Sequence, residues 1–213
     1  MIKFGGNNYP LRGGKHLYYE GGTKVIGFVN SPLLPSTVRG ISYAGLMGAA
    51  DWYYTLVEGI AGGKMNVNQT DGFNMWDAIR FGSSSQRTEY LYAVGGDCNW
   101  TPTLPFLNQN PQNVPLMYGT IRRGPWKLII GEERQQKVLG KEDYLESPNG
   151  VSLFNIHDDP YEHENELMKH QDIFEDLLRR LKNHCKTHVQ YLPVEEDENN
   201  DPRKRDGLFG PWL

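Results

Sequence analysis

Residues 5–22 read GGNNYPLRGGKHLYYEGG. Glycine pairs flank a basic and aromatic stretch, which places Arg12, Lys15, His16 and Glu20 on backbone able to approach a ligand closely. By composition this is a weak hint of anion binding, and a plain surface loop is the stronger reading. A second cluster, His157, Asp158, Asp159, Glu162, His163 and Glu164, has the residue types of a metal site. It also sits between a strand pattern and a helix pattern, where Asp159-Pro160 and nearby acidic side chains are ordinary turn and helix-entry chemistry, and the turn reading is the stronger. The sequence holds no phosphate-cradling glycine loop, paired-cysteine zinc pattern, strand-serine-helix elbow or helix bearing two histidines a turn apart.

The chain that must position these residues has 213 of them, 38% hydrophobic and 12% aromatic, enough for one sizeable core or two small ones. Its 22 basic and 26 acidic side chains are interspersed and leave a net charge of −4, which argues against a nucleic-acid footprint. No apolar run is long enough to cross a bilayer, and the first residues lack the pattern of a signal peptide. Either the protein is cytosolic or its true N-terminus lies elsewhere. Two features favour the second option: the acceptor patterns Asn68-Gln69-Thr70 and Asn99-Trp100-Thr101, which have meaning only in a secretory chain, and a strand pattern at residues 24–34 described below. Cys98 and Cys185 are the only cysteines, so at most one internal disulfide forms; two ordinary thiols are the alternative.

Residues 24–34 carry Val25, Ile26, Phe28 and Val29 and close on Ser31-Pro32, a pattern that predicts a strand covered on both faces. Only about two dozen residues, rich in glycine and turn formers, precede it to supply neighbours. Residues 46–60 suit a helix ended by glycines, and residues 75–81 a shorter one. Residues 88–94 alternate as a strand, and residues 95–115 form a long proline- and asparagine-rich loop. Residues 117–123 and 126–130 predict an antiparallel hairpin across Gly124-Pro125, with a third strand at 151–156. Ile173, Phe174, Leu177, Leu178, Leu181 and Cys185 recur every three to four residues and make one apolar helix stripe. The charged tail from residue 194 ends in Phe209 and Trp212, two aromatics expected to pack onto the body.

In order along the chain, Asn7-Asn8-Tyr9-Pro10-Leu11-Arg12-Gly13-Gly14-Lys15, Glu20-Gly21-Gly22 and Gly27-Phe28-Val29-Asn30-Ser31-Pro32-Leu33-Leu34 stand where the arylsulfatase family has NNWPLRGxK, WEGG and GFV with SPLL. Further along, Asp51-Trp52 with Thr55-Leu56, Asp71-Gly72-Phe73 with Trp76, Ile121-Arg122-Arg123-Gly124-Pro125-Trp126-Lys127-Leu128, Leu153-Phe154-Asn155-Ile156 with Asp159-Pro160 and Glu162, and Gly210-Pro211-Trp212 continue the series. The chain therefore resembles the arylsulfatases, the arylsulfatase B type above all, over essentially its whole length.

The resemblance implies an α/β chain: residues 1–116 as the C-terminal edge of an alkaline-phosphatase-like sulfatase fold, then residues 117–213 as a small α+β subdomain of antiparallel sheet and one packed helix. It implies a sulfuric ester hydrolase that attacks sulfate esters through a formylglycine made from the cysteine of a Cys-x-Pro-Ser-Arg motif, with a calcium ion on the sulfate. Lys15 matches the family lysine that contacts the sulfate, with Arg12 nearby as a weaker substrate-binding candidate. Neither cysteine lies in the required motif and the calcium ligands would fall upstream, so no metal site is expected in this chain, and the chain alone is expected to be inactive. Implied with this are a sulfated small molecule or glycosaminoglycan as substrate, a lysosomal or secreted location, and glycans at Asn68 and Asn99. The family's disulfide cysteines lack their partners here, so the resemblance gives no support to a Cys98–Cys185 bond. The rival reading is a non-catalytic module that binds sulfated glycans through Arg12 and Lys15. An isolated chain with an unpartnered strand at residue 25 is expected to aggregate or stay partly molten.

Overall fold

The computed structural model describes residues 7–66, 70–102, 117–131, 150–187, 201 and 203. Among them the organising element is a four-stranded antiparallel sheet in the order β1-β2-β3-β4, formed by β1 (Glu89–Gly96), β2 (Met117–Arg123), β3 (Trp126–Ile130) and β4 (Val151–Asn155). The predicted hairpin is β2–β3, paired from Gly119↔Ile130 to Arg123↔Trp126 around Gly124, whose φ of 55° the tight turn requires. The predicted strand at residues 88–94 is β1, which joins β2 with a register shift between Leu91 and Ala93. The meander thus draws its first strand from before residue 117.

A strand that buries both faces must find a cover for each, and β2 to β4 do so with different partners. On one face Met117, Ile121, Leu128, Ile130, Val151 and Leu153 pack against Phe174, Leu177, Leu178 and Leu181 of the long helix Gln171–Thr187, numbered α4 below. This is the predicted apolar stripe in its predicted place. Asp172 in the first turn and His184 and Lys186 in the last complement the helix dipole. On the other face Ile129 and Phe154 pack against Tyr19 from the N-terminal segment, with Leu17 and Tyr18 alongside. That segment includes α1 (Glu20–Thr23).

The strand predicted at residues 24–34 does not form. The segment holds no regular structure and Val25, Ile26 and Phe28 face outward, Ile26 96% and Phe28 85% exposed. The physical reason is that a lone extended segment cannot satisfy its backbone N–H and C=O groups in a sheet, and none of the described strands lies beside it. The helix predicted at 46–60 begins only at Asp51, as α2 (Asp51–Tyr54), and continues as a π-helical turn (Thr55–Ile60). The shorter one is α3 (Trp76–Phe81), closed by Gly82 in the left-handed conformation. The terminal aromatics Phe209 and Trp212, most of the long loop and Asn68 lie outside the described residues.

The two cysteines are joined to each other: a Cys98–Cys185 disulfide pins the turn after β1 to the end of α4. Of the two alternatives the sequence leaves open, the bond is the one that forms. The geometry follows from packing, since β1 and α4 cover the same core and bring the two α-carbons to 5.6 Å.

Candidate functional site

The segment 7–24 is held by its own backbone before it meets the sheet. The Leu11 N–H donates to the Asn8 carbonyl at 2.8 Å, the Leu17 N–H to Gly14 at 2.9 Å, and the Gly21 N–H to Arg12 at 2.8 Å. Lys15 therefore rides on the turn closed by Gly14 and Leu17, exposed, next to His16 with a φ of 75°. The glycines of Glu20-Gly21-Gly22 are sterically required. A β-carbon on Gly21 would stand 2.5 Å from the Arg12 carbonyl oxygen, and one on Gly22 would stand 2.1 Å from that of Leu17.

Beneath the turn lies a group of charges that the sequence reading did not anticipate. Lys127, the second residue of β3, is 0% exposed, and its Nζ is 2.9 Å from Glu20 Oε1, 2.9 Å from Glu162 Oε1 and 3.3 Å from Thr23 Oγ1. Glu20 is 2% exposed and Glu162 0%. The Glu20 N–H donates to Glu162 Oε2 at 2.6 Å, and Arg12 Nη1 donates to the Glu162 carbonyl at 2.8 Å while its guanidinium lies 4.2 Å from the Tyr19 ring centre. Two carboxylates and an ammonium thus share one buried site with the half-buried Arg12 guanidinium at its edge, and the four formal charges cancel. Burial pushes the Glu162 carboxyl up, more than Lys127 and the Glu20 N–H pull it down. Burial, and then the Glu20 charge, push the Tyr92 hydroxyl up to about 12; its ring lies 5.4 Å from Lys127 Nζ. A signal for this site was available in the sequence: Trp126-Lys127-Leu128-Ile129-Ile130 sets a lysine in step with Ile129 on a covered face.

The predicted site residues part company here. Lys15 is at the surface, whereas Arg12 is engaged with Tyr19 and Glu162. Of the acidic cluster, Glu162 turns inward to Lys127, and His157 and Asp158 pair with each other at the surface at 2.8 Å. Asp159 accepts the Glu164 N–H at 2.9 Å, and the His163 ring lies 6.0 Å from that of Tyr161. Asn99 is exposed, its N–H donating to Asp97 Oδ1 at 2.9 Å. A second buried pair fastens the helical layer: Asp51 accepts Arg87 Nε at 2.8 Å and Nη2 at 2.6 Å, and the N–H groups of Gly48 at 2.7 Å and Phe73 at 2.8 Å. Burial raises the Asp51 carboxyl, but these bonds outweigh it and hold it below the usual carboxylate range. Between the exposed segment from Lys24 and the sheet runs an open cleft bordered by His16, Phe28, Tyr90, Arg122 and His157.

The residues described do not fit the calcium ion or the formylglycine that the resemblance implies. No group of three or more His, Cys, Asp or Glu among the described residues could hold a metal, because Glu162, Asp51 and Asp159 are each committed to N–H donors or cations of the chain itself. Both cysteines are in the disulfide.

The chain is 31% identical to Arylsulfatase J of Mus musculus over 229 aligned positions, which take in 98% of this chain and 37% of that protein. That identity supports the sulfatase family. No protein-family model matches the chain. Among solved structures, the one titled "Crystal structure of Ps i-CgsB" aligns with a TM-score of 0.51 and 22% identity, covering 84% of this chain and 32% of that one, a likeness of fold alone. The chain spans about a third of the length of the sulfatase it matches. No described helix is long and apolar enough to cross a membrane.

Proposed function

We propose that this chain is the C-terminal part of an arylsulfatase B-like sulfuric ester hydrolase, in which Lys15 directs its ammonium at the sulfate of a sulfated sugar or aryl alcohol. The observation that carries the reading is the sulfatase identity over 98% of the chain, with the glycine-rich turn presenting Lys15 outward from a fixed base. A lysine suits the task, because a flexible point charge follows the sulfate oxygens as the ester bond to the leaving alcohol breaks. Arg12 contributes to substrate binding indirectly, by holding the start of that turn against Tyr19 and Glu162.

This chain's share of the chemistry is charge stabilisation and shaping of the cleft wall. One such donor is worth about 10² to 10³ in rate, against about 10⁶ for a nucleophile, so Lys15 does not make the chain an enzyme by itself. Calcium and a formylglycine belong, in this reading, to residues outside these 213. A lysosomal or secreted protein accords with the reading, as does a glycan on the exposed Asn99.

The test is an assay of the purified chain with p-nitrocatechol sulfate, alongside calcium titration. The expected outcome is no turnover and no tight calcium binding; clear turnover at neutral or acidic pH refutes the reading. The exposed Lys15 on its glycine-rich turn accords equally with a second reading, a module that binds sulfated glycans without cleaving them. Binding to a sulfated glycan column that is lost in Lys15→Ala and in high salt would select it.

A further inference from the structure

A leucine or methionine at position 127 would pack beside Ile129 and Phe154 and ask for no partner; a lysine there costs desolvation that only directed bonds offset. Of the three contacts of the Lys127 ammonium, two are hydrogen bonds and the third is an ion pair. Two reach Glu20 and Thr23, the first and last residues of α1, directly behind the turn that bears Lys15. The third faces Glu162, which in turn binds the Glu20 N–H through its carboxylate and Arg12 through its carbonyl. Arg12 enters the Lys15 turn and Glu20 leaves it, so both ends of the turn are tied to one sheet-borne ammonium and its carboxylate partner. The sheet does not depend on this tie, since β2 to β4 are held by their ladders and by α4 on the opposite face.

We propose that Lys127 is a positioning residue for Lys15: with Glu20 and Glu162 it fixes the base of the turn, and so sets where the Lys15 ammonium stands. The proposal rests on the reading of Lys15 as the sulfate-facing group. What it adds is that a residue 112 positions later (127 − 15), on the opposite side of the long loop, determines that group's placement. A lone buried ion pair gives weak support to stability, whereas one joining two chain segments in a single register gives specificity, and the contacts here are of the second kind.

The experiment is residue-resolved amide hydrogen exchange on the 213-residue chain, comparing the wild type with Lys127→Met and with the triple variant Glu20→Gln, Lys127→Met, Glu162→Gln. The triple variant removes both buried carboxylates together with their ammonium, leaving only the half-buried Arg12 guanidinium, and so serves if the single variant fails to fold. The proposal expects the amides of Leu17, Gly21 and Gly22 to be accelerated about tenfold or more beyond any acceleration of Ile121 and Leu128 of β2 and β3, which follow global stability. Equal acceleration of both sets would make Lys127 a stability element only, and no acceleration of the turn would remove it from the turn; either result overturns the proposal. Titration with p-nitrocatechol sulfate, followed at the Lys15 ε-methylene by NMR, separates the two claims. No response in the wild type overturns the sulfate role of Lys15, even where the exchange data uphold the clamp. A response in the wild type that weakens about tenfold in the triple variant supports both.

Discussion

At the scale of single residues, two buried carboxyls give the chain opposite pH responses. Glu162 has its folded-state pKa raised, so its share of stability is fully present below the ordinary carboxylate pKa and is lost as pH rises through the raised value. Asp51 has its pKa lowered, so its share is present above the ordinary value and is lost as pH falls through the lowered one. Thermal unfolding across pH checks both: Glu162→Gln should flatten the decline on the alkaline side of the carboxylate range, and Asp51→Asn the decline in acid. Lys127→Met alone leaves two carboxylates without their cation and should cost about 3 to 5 kcal/mol by denaturant titration, whereas the triple neutral variant should cost much less. Gly22→Ala places a methyl against the Leu17 carbonyl and should lower stability by about 1 to 3 kcal/mol. The sequence made Lys15 conspicuous and left Lys127 hidden, for a physical reason. A surface lysine in a glycine-rich turn announces itself by composition, while Lys127 shows in the sequence only as a lysine in step with Ile129, a signal that takes its meaning from the strand register and the chain covering that face.

At the scale of elements, the parts held by local pattern were legible and the parts held by distant partners were not. The hairpin, the fourth strand and the stripe of α4 follow from residue alternation and turn chemistry, and each stands where the periodicity places it. The run at residues 25–29 has an equally apolar pattern but no neighbouring strand among those described, and pattern alone cannot supply the hydrogen bonds of a sheet. The disulfide was hidden because two cysteines 87 residues apart reveal nothing until β1 and α4 are seen to cover one core. Its effect belongs to this scale. Reduction frees the turn after β1 from α4, and the lost loop constraint should lower stability by about 4 kcal/mol. Thermal unfolding with and without reductant measures it, and the ladders of β2, β3 and β4 should open last in hydrogen exchange.

At the scale of the whole molecule, the described parts form a sheet with two unlike covers: a self-sufficient apolar layer under α4, and a charged clasp under the N-terminal turn. The first needs nothing further to explain it. The second spends buried charge on orienting a turn whose outward side chain is Lys15, an expense that makes sense if machinery from the rest of a sulfatase meets that lysine. The central proposal is that these 213 residues are one part of a longer sulfate-ester hydrolase. Full-length sequencing of transcripts that contain these codons tests it most directly. The account predicts an open reading frame continuing upstream in frame with Met1 and encoding a Cys-x-Pro-Ser-Arg run; transcripts that lack any such run in frame would contradict it.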